Sequence, residues 1–90
     1  MQGYEMYVFD RHNRLVGAQN VSNFTLDDVA GSIEALKLVD RTAIVSDKGR
    51  SVCCVCYFDL GECEVPAGKL SPGYCTPCFN AAHAEIENLR

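Results

Sequence analysis

Ninety residues suffice for one domain, and a chain this short covers only about 60–65% of the surface its unfolded form exposes, so its core is thin. Hydrophobic residues make up 48% of it, which excludes a disordered tail, and no apolar run is long enough to span a bilayer. The formal net charge of −4 argues against nucleic acid and against anionic membranes as main partners, since both are held through Lys and Arg.

Residues Met1-Gln2-Gly3-Tyr4-Glu5 show no basic stretch leading into an apolar one, so no export signal is expected and the chain is assigned to the cytoplasm. Tyr4 to Asp10 reads as a strand, carried by Tyr7, Val8 and Phe9. Asp10-Arg11-His12-Asn13-Arg14 is a turn, and Leu15 to Val21 returns antiparallel to the first strand. A helix follows. Thr25 is its N-cap, Asp28 completes a capping box, and Phe24 with Val29 forms a hydrophobic staple. Leu26, Val29, Ile33 and Leu36 share one face, expected to be buried. Gly31 costs that helix about 1 kcal/mol relative to Ala.

Thr42 to Ser46 is a short strand, Asp47-Lys48-Gly49-Arg50 a turn, and Ser51 to Cys54 a resumed extended segment. The last element is a helix with Thr76 as its cap and Pro77 at its first position, lining one face with Phe79, Ala82, Ile86 and Leu89. The expected fold class is α+β. A small antiparallel sheet with one helix, in the order ββα-ββ, continues into a zinc module that ends in the C-terminal helix. Residues 1–90 form one domain, with 1–50 as its ββα-β part and 51–90 as its zinc-binding part.

Cys53-x2-Cys56 and Cys75-x2-Cys78, separated by 18 residues, have the spacing of a four-cysteine zinc site. Six cysteines would also serve disulfides in an oxidising compartment, but no export signal directs the chain to one. Four protein ligands leave no coordination position open, so such a site is structural. Iron would accept the same ligands. Cys54 and Cys63 remain as free thiols, one of them expected to be buried, with Cys63 in the loop between the pairs.

This arrangement, with a helix opening inside the second pair, resembles the treble-clef zinc fingers, above all the GATA type and the C-terminal finger of the DksA/TraR family. The resemblance covers about the last forty residues. It implies zinc-ligand roles for Cys53, Cys56, Cys75 and Cys78 and a structural Zn2+. The chain departs from those families in several places. Tyr57 follows Cys56 where many knuckles carry Gly, and Thr76-Pro77 replaces the asparagine common in GATA fingers. From Ser51 on, only Lys69 and Arg90 are cationic. The long helical pair that precedes the DksA/TraR finger is missing.

Other motifs carry less. His83-Ala84-Glu85 has the H-x-E of zinc deaminases, but the order relative to Pro72 and the cysteine pair is reversed, so His83 reads as a helix-face histidine. The Arg11–Arg14 turn reads as a solvated loop tip. The expected function is that of a small non-enzymatic zinc-binding regulator or adaptor acting by protein–protein contact, of which a phage-type inhibitor of a larger host machine is one form. Its partner is expected to be a protein, met through an acidic or an apolar surface: a basic partner if the acids at Asp59, Glu62 and Glu64 meet it, with an apolar face or the Arg11–Arg14 turn as the alternatives. A nucleic-acid-binding zinc finger is the second reading and a zinc-dependent enzyme the third.

Overall fold

The computed structural model describes residues 3–88. Three strands, β1 (Glu5–Phe9), β2 (Leu15–Asn20) and β3 (Thr42–Ser46), form an antiparallel sheet in the order β2-β1-β3, with helix α1 (Leu26–Lys37) crossing between β2 and β3. A second sheet joins β4 (Lys48–Cys53), β5 (Asp59–Pro66) and β6 (Leu70–Gly73) in the order β5-β4-β6. There β4 runs antiparallel to β5 and parallel to β6. Helix α2 (Thr76–Asn88) closes the chain. The α+β class is as expected, with a second sheet that the sequence pattern did not disclose.

The turn between β1 and β2 forms as its residues predict. Asp10 Oδ1 accepts the N–H groups of His12 at 2.9 Å and Arg14 at 3.0 Å, and Asn13 takes φ +62°. Those hydrogen bonds, the one from Arg14 first, hold the Asp10 carboxyl below its ordinary value. The capping box of α1 is complete. Asp28 N–H donates to Thr25 Oγ1 and Thr25 N–H to Asp28 Oδ2, each at 3.1 Å.

The alternation of β1 sorts its side chains to two faces. Met6 and Val8 face α1 in a cluster with Val21, Val29, Phe24 and Ile33, and opposite them on β3 stand Val45 and Ala43. Phe24 and Val29, the staple pair, both belong to this cluster. Leu26 does not: it is 73% exposed, because the thin core ends at Val29 and Ile33. Nothing approaches Gly31, which is simply tolerated.

The other face of β1 meets the second sheet. Tyr7, fully buried, donates its hydroxyl to the Lys48 carbonyl at 2.9 Å and accepts the Gly68 N–H at 2.9 Å. Phe9 lies beneath Arg50, whose guanidinium carbon is 5.6 Å from the ring centroid. Arg50 in turn forms a two-pronged ion pair with Asp59, Nε to Oδ1 at 2.9 Å and Nη2 to Oδ2 at 2.8 Å. That bond to Asp59 raises the guanidinium pKa.

Between β3 and β4 only Asp47 intervenes, so the expected turn at Asp47–Arg50 is corrected: the chain passes from one sheet straight into the next. Gly49 serves close approach, not turning. A Cβ there would overlap the Val65 side chain and the Lys69 carbonyl, where β4 is flanked on both sides. Cys63 likewise lies in strand β5, not in a loop. The acids of this region are engaged within the fold. Asp59 holds Arg50, Glu62 accepts the Ser46 hydroxyl at 2.7 Å, and Glu64 pairs with Lys48 at 3.1 Å. Asp59, with a side chain only 10% exposed, is thus no part of a free acidic surface.

Candidate metal centre

Strand β4 delivers Cys53 at its last position, and the chain then turns through Cys54, Val55 and Cys56 before β5 begins. Cys53 N–H donates to the Phe58 carbonyl at 2.9 Å, and Tyr57 N–H returns to the Cys53 carbonyl at 3.0 Å, closing a knuckle. Tyr57 takes φ +65°, the left-handed conformation that a glycine would adopt freely. Its side chain, 54% exposed, sits where many knuckles carry Gly, and the fold keeps the glycine-like backbone without the glycine.

The second pair comes from the start of α2. Cys75 is buried and its carbonyl accepts the Phe79 N–H at 2.9 Å. Cys75 therefore occupies the cap position, while Thr76, the expected cap, is already in the helix. Cys78 lies one turn in, so both sulfurs meet the N-terminal end of α2, where the helix dipole and free N–H groups favour thiolate.

The four Sγ atoms of Cys53, Cys56, Cys75 and Cys78 all lie within 4.8 Å of one another. Cys56 Sγ and Cys75 Sγ are 3.6 Å apart, far beyond the roughly 2.05 Å of a disulfide. A tetrahedron with Zn–S bonds of about 2.3 Å has edges of about 3.8 Å, so the spacing suits a four-thiolate ion and not two bridges.

The electrostatics agree. The N–H groups of Cys56, Cys75 and Val55 point at Cys53 Sγ, and they hold its pKa down to about 6 against the opposing effect of burial. At Cys56 the Phe58 N–H pulls downward, yet burial and the neighbouring Cys75 and Cys53 thiols prevail and the pKa rises. Cys78 is pushed up to about 12 by Cys75, by burial and by Cys53. One thiolate is favoured here and further ones repel it, so a dication is what allows all four to ionise.

Cys54 and Cys63 stand outside the cluster, as expected, but neither is buried: Cys54 is exposed and Cys63 half-buried. Cys54 meets the Tyr74 hydroxyl, and that contact raises the Tyr74 pKa. His83 stacks on Phe79, with ring centroids 6.1 Å apart and planes 5° apart. Sequence reasoning missed the approach of the β1–β2 turn. Leu15 N–H donates to the Tyr57 carbonyl at 2.8 Å and Asp59 N–H to the Asn13 carbonyl at 2.9 Å, which places His12 and Arg14 beside the knuckle.

Purified protein should contain about one zinc ion per chain, bound by sulfur alone. Elemental analysis with X-ray absorption at the metal edge checks this. A light-atom ligand in the first shell, or disulfides in place of metal, would refute the four-cysteine assignment. Comparison with protein-family models, with curated proteins and with solved structures finds no significant match for this chain.

Proposed function

We propose that this chain is a small non-enzymatic zinc-binding regulator or adaptor that works by protein–protein contact. The observation that carries the reading is the apolar surface around the metal centre. Phe58, Leu60 and Tyr74 are 37%, 39% and 50% exposed, and Phe79 and Ile86 on α2 exceed half. The face expected on α2 is therefore formed but turned outward, with Leu89 outside the described residues. Contiguous apolar surface rimmed by polar groups is characteristic of interaction sites. Among zinc-finger-like modules we place the centre with the treble-clef type, supported by a first pair in a knuckle and a second at a helix start. We assign the ion as a structural Zn2+, because four thiolates fill its coordination. Inhibition of a larger host machine, as phage-encoded proteins practise it, is one role such a surface serves.

The test is affinity capture with the zinc-loaded chain from its source cells, followed by reconstitution with the purified partner. A stable one-to-one complex with a protein supports the reading. Retention of nucleic acid alone, with affinity falling steeply in salt, would favour the second reading, a nucleic-acid-binding finger. That reading draws on Arg11, Arg14 and Arg41, which form no ion pair among the described residues.

A further inference from the structure

We propose that the free edge of β2 is a strand-pairing surface for a second copy of this chain, joined antiparallel about a two-fold axis at Gln19. The inference stands independently of the protein-contact reading above. β2 is an outer strand of its sheet, and five of its six residues are exposed. Val21 N–H donates to the Tyr4 carbonyl, toward β1. Main-chain polar groups of an antiparallel strand alternate between its two sides, so Ala18 and Asn20 turn theirs outward, away from β1. Such a row is a template for another strand. The edge already accepts one at its start, where Arg14 bridges Phe58 antiparallel and Leu15 N–H donates to the Tyr57 carbonyl. Past Leu15 the strand is exposed.

The other sheet protects its edges. β5 carries Glu62 and Glu64 and has register shifts against β4, and β6 is four residues long with Pro72 in it. β2 has no charge and no proline, and its one irregularity lies at the end that the knuckle covers. β3 is uncharged too, but it is one residue shorter, only two of its five residues are exposed, and Arg41 and Asp47 bracket it. Selection of a foreign strand needs pockets for its alternate side chains. Among the described residues, the cleft beside the knuckle and the one at Asp10 and Arg41 both leave β2 out. An identical strand matches in length and meets no like charge along the seam. With the axis at Gln19, Ala18 of each copy faces Asn20 of the other and exchanges main-chain hydrogen bonds with it, toward the end of β2 away from the knuckle. The product is one continuous sheet of six strands with both α1 helices on the same face. The chain exposes 6082 Å2, where a monomer of 9.9 kDa is expected to expose about 5,200 Å2, and an association that covers part of it brings the value toward the expected one.

The test is sedimentation equilibrium of the zinc-loaded full chain over a range of concentrations. A monomer–dimer equilibrium is expected, and it should tighten as salt screens the net charge of −4 on each copy. Ala18→Pro removes a donor that points away from β1, so it should weaken the dimer about tenfold or more while zinc content and circular dichroism stay unchanged. Gln19→Glu, at an exposed position and of the same size, sets two like charges opposite each other at the axis and should weaken the dimer a few-fold at low salt. In the native chain the Ala18 and Asn20 amides should gain protection from exchange as concentration rises. A mixture of isotope-labelled and unlabelled chains should show a contact between the Gln19 α-protons of two copies. A chain still monomeric at about 1 mM, a dimer indifferent to both variants, open-ended larger species, or protection at β3 or α2 in place of β2 would each overturn the proposal.

Discussion

Cys75→Ser is expected to remove the metal and, with it, the order of residues 48–88. Cys75 is buried, contributes one of four clustered sulfurs, and caps α2 with its carbonyl. Structural zinc in finger peptides contributes about 10–16 kcal/mol at pH 7, comparable to or larger than the whole stability of a domain, about 5–15 kcal/mol. Cys54→Ser and Cys63→Ser lie outside the cluster and should change stability by less than about 1 kcal/mol while retaining the metal. Zinc content, far-ultraviolet circular dichroism and amide exchange for the three variants decide the matter. Equal loss in all three would show that the ligand set is wrong. Metal affinity should also rise with pH, because each thiol proton displaced adds one logarithmic unit of affinity per pH unit. At pH 7 the raised Cys56 and Cys78 must still give up protons, whereas Cys53, at about 6, is largely ionised. The dependence should steepen below about pH 6, where Cys53 too must be deprotonated. A metal affinity flat between pH 5 and 8 would contradict this electrostatic arrangement.

Asp59→Ala is the second large effect. It strands the Arg50 guanidinium, whose side chain is 9% exposed, against the Phe9 ring with no carboxylate to meet it. Removing one partner of such a buried pair costs about 3–5 kcal/mol. The Gly61 N–H, which also donates to Asp59 Oδ1 at 3.2 Å, loses its acceptor as well. Denaturant unfolding at saturating zinc should show the loss. The double variant Arg50→Met, Asp59→Leu should recover most of it, since an apolar pair of similar volume leaves no charge uncompensated. A single variant as stable as the native chain, or a double variant worse than the single, would mean that the ion pair within the second sheet is not what keeps Arg50 stable against Phe9.

Much of this was legible in residue order. The cluster of four cysteines follows from two short spacings, and the box at Thr25 and Asp28 from local hydrogen-bonding capacity. The Asp10–Arg14 turn follows from side chains that bond their own backbone. All three are local, which is why they can be read without a fold. The second sheet was not. In β5, Glu62-Cys63-Glu64-Val65 does alternate, but Gly61 and Pro66 bound it as they would a loop. Its parallel relation of β4 to β6 joins residues such as Arg50 and Leu70 that no local rule connects. Gly49 looked like a turn residue because glycine answers two needs, positive φ and lack of bulk, and here the second applies. Leu26 has the right helical spacing but the thin core runs out before reaching it. The unbroken run Met6-Tyr7-Val8-Phe9 did hold a clue, since a strand covered on both faces has no polar side to display.

That doubly covered strand has a consequence for how the chain matures during synthesis. β1 leaves the ribosome early, and α1 can shelter Met6 and Val8 soon afterwards. Tyr7 and Phe9 find Lys48, Arg50 and Gly68 only when the later strands have emerged. Until then an aromatic face of the nascent chain stays open to water and to chaperones. The first strand is therefore sealed only from the far end of the chain, by residues of a sheet made after it.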